Sequence, residues 1–263
     1  MPDSAAPASP IQVSGYDIDI LVTGFPGKSV CHGALGWSTI VLIRHGERLA
    51  LVDVGAFGHR KLLVAALAER GLKPADVTDV LLTHSHYDHA LNWVMFPKAR
   101  TVIADVEMDW ALKEPWGLTP VPELYVRELD LLPTLVRARD GDEVFPGITM
   151  HLAPGHTPGC VAFRLAGAER DVIFTGDAAK NRAELVSRDT DMTYDAAVSR
   201  ASIEMIWGLW TARPGGIVVP GHDVPMDLDQ AGKPRYLARR EAAISAWYGE
   251  TMDATTIVNL VVD

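Results

Sequence analysis

The chain has 263 residues, of which 48% are hydrophobic and 22% are charged, a composition typical of a globular domain with a sizeable core. Its formal net charge of -10 disfavours nucleic acid as the main partner, because phosphate binding needs a basic face. No apolar run reaches the roughly 18 residues that a membrane span needs, so a membrane is not expected as a partner either.

One domain is expected, residues 16–263, behind a flexible leader at residues 1–15. The leader lacks the basic and apolar regions of a secretory signal peptide, which favours a cytoplasmic protein. Cys31 and Cys160 are too few for a disulfide framework, so both are expected to be reduced and structural.

The apolar pattern predicts β-rich segments separated by a few helices. In the first half, strands are predicted at 16–24, within 38–55 as a hairpin turning near 45–47, within 72–83 and at 101–105, with a helix at 59–71. In the second half, β-rich segments are predicted at 141–155, 160–166, 171–177 and 215–223, with a helix at 194–210. Residues 107–140 are predicted to be a lid-like helical insertion. About the last 20 residues predict a helix followed by an edge strand at 255–263, which could serve as a homodimer contact.

Polar side chains suited to chemistry follow the predicted strands. Asp53, His84, His156, Asp177 and His222 each come just after an apolar, β-rich run. Functional groups concentrate in loops at the ends of a rigid sheet, because the sheet fixes the ends of each loop. These positions therefore predict a site along one edge of the β-structure.

The stretch "THSHYDH", residues 83–89, has the composition of a metal site. His84 and His86 lie two residues apart and can point at one ion, while Asp88 and His89 can turn to a second. Imidazole nitrogen and carboxylate oxygen are ligands that zinc, iron(II) and manganese share. Three histidines in six positions behind a buried strand are hard to explain by packing, so a metal site is favoured over a solvated turn.

The ordered motifs resemble those of the metallo-β-lactamase-fold hydrolases. They are "THSHYDH", "APGHTPGC", "FTGD" and "PGHD", preceded by "VDVG", and the resemblance covers about residues 18–225. It implies an α/β fold, a four-layer αββα sandwich with the site at one edge. It also implies that one metal ion is held by His84, His86 and His156, that a second is held by Asp88, His89 and His222, and that Asp177 bridges both.

The resemblance further implies a dinuclear, metal-dependent hydrolase. Two divalent ions are expected, zinc first, with manganese, iron or cobalt as alternatives. Two cations about 3.5–4 Å apart lower the pKa of water to about 7 and so supply a bridging hydroxide at neutral pH. Attack on a carbonyl would open a lactone or cleave a related ester of a small-molecule substrate. Asp88 is a candidate to take or return a proton.

The lactonase branch of the family is the closer resemblance. True β-lactamases generally lack the bridging aspartate and are exported. Quorum-quenching lactonases carry a tyrosine three residues after that aspartate, and here Lys180 takes its place. Lys180 is either a second catalytic residue, offering a cation to an oxyanion or to a substrate carboxylate, or a solvated lysine at a loop tip.

Two other classes of function stay open on the same scaffold. One is a mononuclear iron dioxygenase that acts on thiol-derived substrates, although the full set of second-metal ligands argues against it. The other is a non-catalytic ligand-binding protein. Asp53 likewise has two interpretations, as a support for the metal ligands or as a cap of the turn before Gly55.

Aromatic residues are candidates for the wall of a planar, partly apolar pocket. They are Phe25 and Trp37, which bracket a Gly-rich loop, together with Phe57, Trp93, Trp110 and Trp116. The remaining histidines match no motif and are predicted to be surface or core residues: His32, His45, His59 and His151.

Overall fold

Two seven-stranded β-sheets form the centre of the fold, seen in a computed structural model that describes residues 11–31, 33–239 and 242–260. The first half of the chain contributes β1 (Ile11–Val13), β2 (Tyr16–Val22), β3 (Lys28–Ser29), β4 (Gly33–Ala34), β5 (Ile40–His45), β6 (Arg48–Val52), β7 (Asp79–Leu81), β8 (Arg100–Ala104) and β9 (Leu135–Ala138). The second half contributes β10 (Glu143–Phe145), β11 (Ile148–Leu152), β12 (Val161–Ala166), β13 (Asp171–Gly176), β14 (Ile217–Pro220), β15 (Met226–Leu228), β16 (Pro234–Tyr236), β17 (Ala243–Ala246) and β18 (Thr256–Asn259). Outside the two large sheets, β3 pairs with β4 and β17 pairs with β18.

The strand order places the ends of several strands at one edge. The first sheet has the order β1-β2-β5-β6-β7-β8-β9, and the second runs from β10 to β16 in chain order. Strands β6, β7, β8 and β9 run parallel to one another, and β13 runs parallel to β14. The carboxyl ends of parallel strands meet at the same edge of a sheet, which is where ligands bind in open α/β folds. The loops that follow β6, β7, β13 and β14 therefore start close together.

Helices cover the outer faces of both sheets. They are α1 (Arg60–Ala68), α2 (Tyr87–Ala90), α3 (Asp105–Ala111), α4 (Glu123–Asp130), α5 (Arg182–Ser187) and α6 (Ala196–Thr211). One hydrophobic core lies between the two sheets. A second core joins α1, α3 and α4 to the first sheet, and a third joins α5 and α6 to the second sheet. These layers confirm the predicted αββα sandwich.

Helix α6 shows how the sequence determines where a helix begins and which of its faces is buried. The side chain of Asp195 accepts hydrogen bonds from the backbone N–H groups of Ala197 and Val198, both at 3.0 Å, and so caps the first turn. Ile203, Ile206 and Trp210 recur at helical spacing and are buried against the second sheet. The helix predicted at 194–210 thus forms with its start fixed by the cap.

Three segments differ from the sequence-based expectation. Strand β1 lies inside the stretch expected as a leader, of which residues 1–10 lie outside the described residues. Residues 107–140 hold the end of α3, then α4 and β9, and their apolar side chains pack on the first sheet as part of its outer layer. The predicted C-terminal helix is wrong, because β17 and β18 pair as a separate hairpin rich in β-branched residues. Residues 261–263 lie outside the described residues.

Both cysteines are free thiols, as predicted from their number. Cys160 is buried in the core beneath α5 and α6, whereas Cys31 is exposed, so a structural role fits Cys160 alone. In the described ranges, no helix combines the length and the apolar character needed to cross a membrane.

Candidate metal centre

Polar side chains converge at the edge where the two sheets meet. The loop after β7 and helix α2 supply four of them, and the loops after β11, β13 and β14 supply one each. They are His84, His86, Asp88, His89, His156, Asp177 and His222. The structure thus brings together all of the residues that the motifs single out.

The first group consists of His84, His86 and His156, whose ligand atoms lie within 4.8 Å of one another. The Nε2 of His156 is 3.0 Å from the Nδ1 of His86. His84 is fully buried, and its Nε2 has no hydrogen-bond partner in the described part of the chain. A buried polar nitrogen without a partner is costly in a native protein. Three ring nitrogens that face a common point resolve this cost if they bind a divalent cation, so the group fits a metal ion.

The second group consists of Asp88, His89 and His222, with ligand atoms again within 4.8 Å of one another. The Nε2 atoms of His89 and His222 face each other at 3.2 Å. The Oδ2 of Asp88 lies 3.6 Å from the first of these nitrogens and 3.4 Å from the second. A carboxylate and two imidazoles also form a donor set that suits a divalent cation.

Asp177 lies between the two groups. Its Oδ1 is 3.1 Å from the Nε2 of His89 and 3.1 Å from the Nε2 of His222. Its Oδ2 is 3.3 Å from the Nε2 of His156. One carboxylate therefore directs one oxygen at each group, which is the geometry that a bridging ligand needs.

The two groups differ in protonation. Burial lowers the pKa of His84 well below its usual value and lowers the pKa of His86 to about 4, so these imidazoles are neutral at neutral pH. Burial acts in the same direction on His89, but Asp177, Asp88 and Asp53 outweigh it and raise the pKa of His89 well above its usual value. Metal ligands must be deprotonated, so a cation would take the place of this proton.

Asp53 supports His89 directly. Its Oδ2 accepts hydrogen bonds from the Nδ1 of His89 and from the hydroxyl of Thr83, both at 2.8 Å, and its Oδ1 accepts one from the backbone N–H of Thr83 at 2.8 Å. A proton on Nδ1 leaves the lone pair of Nε2 free to face the cluster. Of its two interpretations, the contacts favour support of a candidate ligand.

Glu107 supports the first group and was not singled out in the sequence. Its Oε1 accepts hydrogen bonds from the backbone N–H and the hydroxyl of Ser85, at 2.8 and 2.7 Å. Its Oε2 accepts from the hydroxyl of Thr157 at 2.7 Å and the N–H of Gly159 at 3.1 Å. Burial raises the pKa of this fully buried carboxyl against the opposing effect of these hydrogen bonds. The only sequence signal was an acidic residue on the buried face of a helix, beside Met108 and Ala111.

A cavity of about 820 Å³ opens onto the cluster, a size that suits a small molecule. Residues 26–28, 187 and 189–194 form part of its wall, and His86, Asp88, His156, Asp177 and His222 form its floor. Lys180 lies in the wall and is largely buried. Its Nζ is 2.8 Å from the Oε1 of Glu184 and donates to the main-chain oxygen of Asp191 at 2.8 Å. The lysine is therefore neither a solvated side chain nor an unpaired cation.

Few of the suggested aromatic residues reach the cavity. Trp110 lines it, next to Tyr87 and Tyr194, which the sequence did not single out. Phe25 and Trp37 stack on each other with ring centres 4.9 Å apart and hold the ends of the Gly-rich loop together. The other suggested aromatic residues lie elsewhere: Trp93 in the core of the first sheet, Phe57 against Tyr125, and Trp116 beneath Arg127.

His59 was predicted to be a surface or core histidine, and it lies in the interior just before α1. It is buried, and its Nδ1 accepts a hydrogen bond from the N–H of Ala56 at 3.0 Å. Burial lowers its pKa, and the charge of Asp88 opposes that effect. His45 bonds to the Gly15 carbonyl at the far end of the first sheet, and His151 is half-buried on β11. His32 lies outside the described residues.

Known proteins share both the sequence pattern and the fold. A family model described as the metallo-beta-lactamase superfamily matches residues 36–222. Metallo-beta-lactamase domain-containing protein 1 of Rattus norvegicus is 27% identical over 187 residues, which are 66% of this chain and 61% of the relative, so this chain spans less than two thirds of that protein. An N-acyl homoserine lactonase of Bacillus cereus is 26% identical over 178 residues, 66% of this chain and 67% of the relative.

Among solved structures, AidC, a dizinc quorum-quenching lactonase in complex with a product, superposes with a TM-score of 0.70. The alignment covers 86% of this chain and 96% of AidC at 18% identity, a likeness that speaks for the fold alone. The matched family model spans most of this chain and includes every residue of the cluster, from His84 to His222. The protein therefore belongs to the metallo-beta-lactamase superfamily.

Proposed function

We propose that this protein is a dinuclear metal-dependent hydrolase that opens a lactone or cleaves a related ester. The position of Asp177 carries the proposal, because its two carboxylate oxygens face the first and the second group separately. A structural metal site is closed and needs one set of ligands, whereas two joined sets beside an open cavity suit catalysis. The lactonase of Bacillus cereus among its relatives supports an ester or lactone as the substrate.

The first group would hold one divalent cation and the second group another, with Asp177 shared between them. We propose zinc for both, following the dizinc lactonase AidC. When bound, such a pair would polarise an ester carbonyl and lower the pKa of water from about 15.7 to about 7.

Residues of the chain would then bind the substrate and move its protons. Asp88 lines the cavity at its floor, and we propose that its carboxylate takes a proton from the attacking water and returns it to the leaving oxygen. Lys180, in the wall of the same cavity, would donate a hydrogen bond from Nζ to a substrate oxygen as negative charge develops there. Trp110 and Tyr194, with ring centres 6.1 Å apart, would contact the apolar part of the substrate.

The alternative of a mononuclear iron dioxygenase needs one metal ion and an oxygen-binding position. The complete second group, with ligand atoms as close to one another as those of the first, favours two ions instead. A non-catalytic ligand-binding protein would hold metals and still leave esters intact.

The test is a panel of lactones, aryl esters, thioesters and β-lactams assayed under argon on the protein as purified and after zinc loading. Metal content is measured on the purified protein, and oxygen uptake is measured in air. The proposal predicts two ions per chain, turnover of a lactone or ester without oxygen, and loss of turnover in His86→Ala. One iron per chain with oxygen uptake would support the dioxygenase, and two ions without turnover of any substrate would support the ligand-binding protein. Either result would overturn the proposed hydrolase.

A further inference from the structure

The charged side chains of the cavity wall are paired with one another or with a neighbour. Apart from the aspartates of the cluster, the charged residues that line the cavity are Lys28, Lys180, Glu184, Asp189 and Asp191. Ion pairs join Lys28 to Asp191, Lys180 to Glu184, and Asp189 to Arg200. In the described part of the chain, the wall therefore presents a substrate with no uncompensated charge.

The pair of Lys180 and Glu184 differs from the other two in burial. Its side chains are 13% and 7% exposed, whereas the Lys28–Asp191 pair is 53% and 72% exposed. Water and salt screen exposed charges, so the outer pairs contribute little to the potential inside the cavity. A buried charge is screened far less, so among the three ion pairs of the wall the inner pair contributes most to the potential next to the cluster.

Glu184 is fixed in this position by further contacts. Its carboxylate accepts hydrogen bonds from the N–H of Lys180 at 2.8 Å, the hydroxyl of Thr190 at 3.2 Å and the N–H of Asp191 at 3.3 Å. The Asn181 side chain caps the start of α5 and accepts from the N–H of Glu184 at 3.2 Å. The glutamate is thus held from both sides and cannot swing away from the lysine when a substrate enters.

We propose that Glu184 is a specificity-determining residue, which compensates the charge of Lys180 and makes the site select neutral acyl chains over acyl chains that end in a carboxylate. This inference rests on the proposed hydrolase. Glu184 and the main-chain oxygen of Asp191 occupy two of the three N–H donors of Lys180. One donor remains for a substrate oxygen, but the positive charge of the lysine is already matched. A carboxylate on the substrate would have to compete with Glu184 for the lysine, and it would be repelled by Glu184 at close range.

The experiment compares two matched esters, 4-nitrophenyl valerate and the mono-4-nitrophenyl ester of glutaric acid, which differ in a terminal methyl or carboxylate. The readout is the ratio of kcat/KM for the anionic ester to that for the neutral ester. This ratio is insensitive to a loss of catalytic power that affects both esters alike. Glu184→Gln, Lys180→Gln, the double variant and Glu204→Gln are compared with the unaltered protein, and each is checked by thermal unfolding.

The expected result is a change of opposite sign in the two single variants. Glu184→Gln leaves the lysine uncompensated and raises the ratio about ten-fold, and Lys180→Gln leaves the glutamate uncompensated and lowers it about ten-fold. The double variant is again neutral, and its ratio returns to within about two-fold of the unaltered protein. Glu204→Gln removes an exposed charge on α6, paired with Arg188 outside the cavity, and leaves the ratio unchanged.

Equilibrium binding separates this inference from the proposed function. The affinities of pentanamide and glutaramate are measured by fluorescence, since Trp110 lies in the cavity wall. If no ester is turned over but the affinity ratio follows the order above, the hydrolase proposal fails and the charge compensation stands. If esters are turned over and the ratio is the same in all variants, Glu184 does not determine specificity. A Glu184→Gln variant that does not fold leaves Lys180→Gln, where an unchanged ratio has the same meaning.

Discussion

The first and the second group hold similar ligands but are supported in different ways. Glu107 makes no hydrogen bond to an imidazole of the first group; it holds Ser85, which lies between His84 and His86, and Thr157, which follows His156. Asp53 bonds the imidazole of His89 itself and fixes the proton on Nδ1. The geometry of the first group therefore depends on the position of two loops, whereas the geometry of the second depends on the orientation of one imidazole ring.

This difference predicts how each group loses affinity for a metal ion when its supporting carboxylate is removed. A loop that loses its buried carboxylate can shift, and every histidine on it shifts a little. An imidazole that loses its carboxylate partner can change both its tautomer and its basicity, which lowers the affinity of the ligand for a metal more sharply. The shared Asp177 belongs to neither case, because its loss removes a ligand from both groups at once.

The largest effect is expected for Asp177→Ala. Loss of the shared carboxylate leaves both groups short of a ligand, so metal content should fall from two ions to one or fewer, and kcat by at least about 1,000-fold. Elemental analysis and the ester assay measure the two quantities. Asp171→Ala is the matched control, since it removes another buried carboxylate from the start of β13, the strand that Asp177 follows, where it pairs with Arg164 and Arg213. A variant at 177 that keeps two ions and full turnover would remove Asp177 from the centre.

The next effect is expected for Asp53→Asn. The substitution removes the charge that supports His89 and one of the acceptor oxygens, so affinity at the second group should fall about 10–100-fold. Affinity at the first group should change by less than about three-fold. A zinc titration against a chromophoric chelator resolves the two steps. Equal weakening of both steps would mean that Asp53 stabilises the whole edge and not one ligand.

A smaller effect is expected for Glu107→Gln. The amide keeps one acceptor oxygen and replaces the other by a donor, so the hydrogen bonds to one of the two loops are lost. Affinity at the first group should fall about ten-fold, with the second group unaffected, in the same titration. Asp171→Asn controls for the general cost of neutralising a buried carboxylate. If that control weakens zinc binding as much as Glu107→Gln does, the selective role of Glu107 is wrong.

The sequence singled out the members of the cluster because they belong to local motifs. One short segment after β7 contains His84, His86, Asp88 and His89. The strand order brings the other loops to the same edge. Glu107 was missed because its partners are 22 and 52 residues away, at a separation that no local pattern records. The pairing of Lys180 with Glu184 had a signal, since a lysine and a glutamate four residues apart can meet at the start of a helix.

In the C-terminal segment, in contrast, the predicted helix is wrong. A helix was predicted within about the last 20 residues, ahead of the edge strand at 255–263, but the structure pairs Ala243–Ala246 with Thr256–Asn259. Both strands are short and mostly exposed, so no buried face imposes a clear period on the sequence. Most of the aromatic residues suggested for the cavity wall lie elsewhere, for a related reason. No feature of the sequence distinguishes Trp110 from Trp93 and Trp116. Only the packing of the folded chain determines that Trp110 lines the cavity.

The most direct test of the account is an anomalous diffraction experiment at the zinc edge on crystals of the zinc-loaded protein. Two peaks about 3.5–4 Å apart are predicted, one within bonding distance of His84, His86 and His156 and the other of Asp88, His89 and His222, with the Asp177 carboxylate touching both. A single peak bound by only one group, or two peaks with Asp177 turned away from either, would contradict the shared centre on which the proposed hydrolysis depends.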